Sequence, residues 1–97
     1  MSKTKKATCA ATITNPKPRV PVIGVFSPCD PRIDKDSRQR AANIVAMGAE
    51  ILASEIFMPD KTPVPVVYSD ILIDGEKQAD IVAEQFRNAG VNILVCL

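Results

Sequence analysis

The hydrophobic pattern of this 97-residue chain switches repeatedly between short unbroken runs and stripes of helical spacing. Pro21-Val22-Ile23-Gly24-Val25-Phe26 is a run rich in β-branched residues, which predicts a strand buried on both faces. Pro28 and Pro31 then stop regular structure, so residues 27–34 read as a loop. Beyond it, apolar or small residues fall at Ala41, Ile44, Val45, Gly48, Ile51, Leu52 and Ile56, one stripe on a period of 3.6. That predicts a helix ending before Pro59. Asp34, Asp36 and Ser37 are its candidate N-caps, and Asp36 with Gln39 forms a capping-box pattern. Gly48 inside the stripe costs about 1 kcal/mol against Ala, which a close approach of helix to sheet would explain.

Val64-Pro65-Val66-Val67-Tyr68 predicts a second strand. Pro65 has no N–H to donate, so this strand lies at a sheet edge or Pro65 lies at its beginning. Ile71, Leu72 and Ile73 interrupt the next connection and are expected to tuck against the body, with a short strand possible there. A second helix is expected from Asp74 as N-cap, with Ala79, Val82, Ala83 and Phe86 as its stripe and Gly90 at the left-handed position past its end. Val91-Asn92-Ile93-Leu94-Val95-Cys96-Leu97 then predicts a third buried strand.

The order β-α-β-α-β implies a parallel sheet with right-handed crossovers. The expected fold class is α/β: a three-layer α-β-α unit of Rossmann/flavodoxin-like type, strand order 2-1-3, with one helix on each face and the second strand at the edge. Ligands of such sheets bind beyond the carboxyl ends of the strands, where the strand order reverses. One wall of that crevice is the 27–34 loop. The other would follow the third strand, where the given residues stop. The domain is therefore expected to be incomplete, part of a longer chain or of an assembly. Residues 1–19 are expected as a flexible tail, leaving 20–97 as the N-terminal α/β domain.

Composition narrows the function. Lys+Arg 12 against Asp+Glu 11 gives a net charge of +1, which argues against a generally basic nucleic-acid binder. Aromatic residues make up only 4%, too few for base-stacking platforms. Lys3, Lys5 and Lys6 lack the apolar run of a signal peptide behind them, and no window has the length of a membrane span. Cys9, Cys29 and Cys96 are odd in number and widely spaced, which suits thiols in a reducing cytoplasm rather than a disulfide framework or a zinc site. The chain has no His, the commonest general base at neutral pH. A full catalytic set is not expected within it.

The 27–34 loop carries no phosphate-binding glycine motif, so NAD or FAD use is not expected, and no Walker A pattern occurs. Its polar members are Asp30, Arg32 and Asp34. Arg32 is the candidate substrate-binding residue, with donors suited to sugar hydroxyls or a carboxylate. The structural alternative is that Asp30 organises an Asx turn, Asp34 caps the helix and Arg32 pairs with one of them. Cys29 precedes a helix N-terminus but has no His to activate it as a nucleophile. Asp70 follows the second strand, where some folds hold a ribose hydroxyl, but the matching glycine loop is missing.

The stretches Ile23-Gly24-Val25-Phe26-Ser27-Pro28-Cys29-Asp30-Pro31-Arg32-Ile33-Asp34, Ser37-Arg38-Gln39-Arg40-Ala41-Ala42-Asn43-Ile44-Val45 and Asp74-Gly75-Glu76-Lys77-Gln78-Ala79-Asp80-Ile81-Val82 resemble the start of proteins similar to L-fucose isomerase. The likeness spans residues 20–97. It implies the N-terminal domain of an aldose–ketose isomerase acting on L-fucose or D-arabinose through a cis-enediol. It implies a divalent ion, usually Mn²⁺, held by two carboxylates and a His outside this chain, with no catalytic or metal residue within it. It further implies a homo-oligomer, a hexamer in the family, in which this domain closes over a neighbouring subunit's site. In some members an Arg of the first βα loop reaches the sugar. Arg32 is the Arg of that loop here, and Phe26 stands where the best-studied members have Arg. The alternative reading is a stand-alone flavodoxin-like binding or interaction module without catalysis, covering its third strand by oligomerising.

Overall fold

The computed structural model describes residues 7–12 and 21–97. Strand β1 (Thr8–Cys9) leads into a single 3₁₀ turn, Ala10–Thr12. Then come β2 (Ile23–Phe26), helix α1 (Lys35–Glu55), β3 (Val66–Tyr68), helix α2 (Glu76–Ala89) and β4 (Ile93–Cys96). The sheet order is β1-β3-β2-β4, and every pairing is parallel. β3, β2 and β4 stand in the order expected of the second, first and third strands.

β1 corrects two expectations. Residues 8–12 were expected within a tail, yet Thr8 pairs with Val67, Cys9 with Tyr68, and Ala10 is fully buried. Residues 1–6 and 13–19 of the expected tail, Lys3, Lys5 and Lys6 included, lie outside the described residues. β3 is consequently interior among the described strands rather than an edge. Pro65 fits because it precedes the strand: its missing N–H costs no ladder bond, and its carbonyl accepts from the Ile23 N–H at 3.0 Å.

The two-residue period of β2 divides the core. Ile23 and Val25 face Val45, Ala49 and Ala53 of α1. Val22 and Phe26 face Val82, Phe86 and Ala89 of α2. The helices thus lie on opposite faces, as expected of a doubly wound sheet. Fully burying a valine such as Val25 or Val45 contributes roughly 1.5–3 kcal/mol. Phe26 and Phe86 meet edge to face, ring centres 6.4 Å apart.

The α1 stripe is rotated from its expected position. Val45, Ala49 and Ala53 are buried, while Ile44 and Ile51 face outward. Alanines on the inner side let the helix approach the sheet, and the larger isoleucines do not fit there. Helix ends also shift. Asp34 is the N-cap by backbone geometry, its carbonyl accepting from the Arg38 N–H at 3.0 Å, but its side chain makes no cap hydrogen bond, and Gln39 donates to Asn43 instead of forming a capping box. Gly75, not Asp74, caps α2, because the Asp74 carboxylate is taken by Arg38. Gly90 adopts the left-handed conformation (φ 76°), and its N–H closes the helix on the Phe86 and Arg87 carbonyls. β4 is largely exposed rather than buried, since it forms the sheet edge among the described strands.

Two glycines mark close approaches with opposite consequences. A Cβ on Gly24 would lie 2.8 Å from Val91 Cγ1 and 2.9 Å from the Phe86 ring, neither of which can swing away. A Cβ on Gly48 would meet only the tip of Leu97 at 2.7 Å, the end of a flexible, half-exposed side chain. Gly24→Ala is expected to destabilise the protein by about 1–3 kcal/mol through overpacking. Gly48→Ala is expected to be neutral or stabilising by up to about 1 kcal/mol, because Ala is the better helix former. Urea unfolding of the two variants checks the contrast; equal losses would contradict it.

Candidate functional site

The carboxyl ends of β2, β3 and β4 open on one side of the sheet, and their loops are tied into a rim. Past its last strand residue, β2 keeps pairing with the segment after β3. Ser69 N–H donates to the Val25 carbonyl at 3.1 Å, Ile73 N–H to the Ser27 carbonyl at 3.0 Å, and Cys29 N–H to the Ile73 carbonyl at 2.9 Å. The expected short strand at Ile71–Ile73 is thus reduced to one parallel bridge, Pro28 to Ile73, with Leu72 buried beneath it.

Arg38, on the first turn of α1, fastens this rim. Its guanidinium donates to Asp74 Oδ2 at 3.0 Å, to Cys29 Sγ at 3.5 Å and to the Pro31 carbonyl at 3.3 Å. One side chain therefore holds both the 27–34 loop and the end of the 69–75 segment. The Arg38 and Asp74 side chains are 34% and 17% exposed, so the pair is only partly screened by water. Ser69, fully buried, donates from its hydroxyl to Gln85 Oε1 at 2.9 Å and accepts from the Ile71 N–H at 3.2 Å, fixing the segment to α2.

The switch-point crevice lies between β2 and β4. Ser27 stands in it, its hydroxyl 3.0 Å from both the Pro28 and the Leu97 carbonyl oxygens. Leu97 N–H donates to the Phe26 carbonyl at 2.9 Å. Ser27 thus couples the first βα loop to the end of β4, at the place where a ligand of this topology would enter.

Arg32 projects from the outer part of the rim and is 88% exposed. Its Nε and Nη2 donate to the two carboxylate oxygens of Asp30 at 3.0 and 2.8 Å, and its backbone N–H reaches Asp30 Oδ1 at 2.8 Å. The Arg32 side chain holds the Asp30 carboxyl below its ordinary value, and Asp30 in turn raises the Arg32 guanidinium. Both stay charged at neutral pH. The pairing is present above the ordinary carboxylate range and is lost as pH falls through the lowered Asp30 value. The Asx turn and the Arg32–Asp30 pair weighed from the sequence are both formed. Asp34 is held low chiefly by the Ser37 side chain.

Asp70 lies with Lys35, Arg38, Gln39, Ala42 and Leu72 around a depression of about 210 Å³. That is below the roughly 300 Å³ at which small-molecule pockets begin, so this hollow alone does not enclose a sugar. Among the described residues no three of His, Cys, Asp or Glu are placed to hold a metal ion, and the chain has no His. These residues do not fit a Mn²⁺ site. The sequence reading missed Arg38–Asp74 and Ser27–Leu97. The only signal was topological: each pair joins carboxyl ends of strands that the fold sets side by side.

The whole rim falls within the stretch that matches a family model, the one described as L-fucose isomerase, first N-terminal domain, over residues 20–97. The chain belongs to that family. Curated proteins and solved structures give no significant match. In this isomerase domain no described helix is long and apolar enough to cross a membrane.

The Arg38 clamp is testable by a double-mutant cycle. Arg38→Ala and Asp74→Ala are each expected to cost about 1–2 kcal/mol of stability. The double variant should fall short of their sum by about 1 kcal/mol, because either change breaks the same pair. Additive losses in chemical denaturation would show that the contact carries no energy.

Proposed function

We propose that this domain supplies the sugar-facing rim and subunit contacts of a cytoplasmic, homo-oligomeric aldose–ketose isomerase acting on L-fucose or D-arabinose. The observation that carries the reading is the family match across 20–97 coinciding with the tied loops at the carboxyl ends of β2 and β3.

In this proposal the domain recognises rather than reacts. Aldose–ketose conversion needs polarised substrate oxygens and an acid–base pair. The chain has no His, and no carboxylate cluster occurs among the described residues to offer that set. The Mn²⁺ and the proton-transferring groups are then held by other parts of the enzyme. Arg32 has the chemistry for recognition. A guanidinium carries five N–H donors. Two of them go to Asp30, and the Arg32 backbone N–H takes a further acceptor site there, which leaves donors on Arg32 beside one spare lone pair on Asp30 Oδ2. Adjacent donors and acceptors of this kind match neighbouring sugar hydroxyls, each of which both gives and takes a hydrogen bond.

The test is conversion of L-fucose and D-arabinose, with Mn²⁺ added, by the isomerase that carries this domain. Arg32→Ala should raise KM about three- to tenfold with little change in kcat, the loss of a binding contact rather than of chemistry. No conversion of either sugar by folded enzyme, or an unchanged KM in the variant, would contradict the proposal.

A further inference from the structure

The direction in which Arg32 leaves the chain is set by one peptide plane, the one joining it to Pro31. The pyrrolidine ring fixes φ of Pro31, so the rotation of that plane rests on the one remaining dihedral, ψ. The plane is held at both ends. Its N–H, on Arg32, donates to Asp30 Oδ1 at 2.8 Å. Its carbonyl, on Pro31, accepts from Arg38 Nη2 at 3.3 Å. The first bond is local to the turn. The second comes from helix α1, seven residues further along the chain. Arg38 is itself anchored. Its backbone N–H donates to the Asp34 carbonyl at 3.0 Å, and its Nη1 donates to Asp74 Oδ2 at 3.0 Å and to Cys29 Sγ at 3.5 Å.

We propose that Arg38 is a positioning residue for sugar recognition: through the Pro31 carbonyl it orients the 31–32 peptide, and with it the Arg32–Asp30 pair. The inference rests on the recognition role proposed for Arg32 and adds a residue that acts through it. The role needs a guanidinium rather than a positive charge alone. Two Nη nitrogens, fixed in one plane, reach the Asp74 carboxylate and the Pro31 carbonyl at once. A Lys at this position carries one nitrogen on a flexible stem. It keeps an ion pair with Asp74, but a single nitrogen does not stand in both places. Arg38→Lys therefore separates the stability of the rim, which uses the ion pair, from the orientation of Arg32, which uses the second nitrogen.

Two readings on the isomerase that carries this domain test the proposal. The first uses no sugar. Amide hydrogen exchange across 27–34, where Cys29, Arg32 and Ile33 donate backbone hydrogen bonds, should run about fivefold faster in Arg38→Lys, as expected when one hydrogen bond is lost. Exchange across α2 should not change. The second is the KM for L-fucose or D-arabinose with Mn²⁺ added. Arg38→Lys should raise it about two- to fivefold with little change in kcat. In an Arg32→Ala background the same substitution should raise KM no further, because the side chain it orients is gone. A merely structural role would raise KM equally in both backgrounds. Unchanged exchange in 27–34, faster exchange throughout the domain, equal KM effects in both backgrounds, or an unchanged KM in Arg38→Lys where Arg32→Ala raises it would each overturn the inference. An unchanged KM in Arg32→Ala contradicts the proposed function instead, and the exchange reading still decides whether Arg38 orients the turn.

Discussion

Everything in this domain depends on four residues of one strand. β2 sits between β3 and β4, and its alternating side chains anchor two separate clusters, one under each helix. Gly24 is the point of tightest constraint. Because it has no Cβ, Phe86 and Val91 come within reach of its backbone on the α2 face. With β2 fixed from both sides, its carboxyl end is fixed too, and the rim grows from there. The ladder bonds that continue past Val25 and Ser27 carry the order of the strand outward into the loops.

The rim shows how a small α/β unit rigidifies a surface without a large core. Arg38 joins a helix, a thiol, a carbonyl and a carboxylate from three parts of the chain. Its partner Asp74 gives up the helix-capping role its position suggests, and Gly75 takes that place with no side chain to offer. Local helix stability is thereby exchanged for a tertiary tie. Arg32, by contrast, is held among the described residues by its neighbour Asp30 alone and keeps its exposure. The tied residues provide rigidity, and under the proposed function the exposed pair provides the chemistry that meets a ligand.

Much of this was legible in the sequence, for identifiable reasons. Short β-branched runs and helical stripes place β2, β3, both helices and the order of three strands, because the period of burial is a local property. β1 was not legible, since Thr8-Cys9 is too short for any period and is ordered only by pairing with β3. The rotation of α1 was not legible either. Ile44 and Ile51 have the hydrophobicity of core residues, and only the depth available against the sheet favours Ala49 and Ala53 inside. Arg32 and Asp30 could be paired in advance because they are two residues apart. Arg38 and Asp74 could not, being thirty-six apart and joined only by the topology.

The central claim is that the first βα loop of this L-fucose isomerase domain faces the sugar. It is tested most directly by a structure of the assembled isomerase with a bound sugar or its reduced alditol. The account predicts a ligand hydroxyl within hydrogen-bonding distance of the 27–34 loop, with Arg32 or Asp30 as the contact. A ligand held wholly by other parts of the enzyme, with that loop turned to solvent, would contradict it.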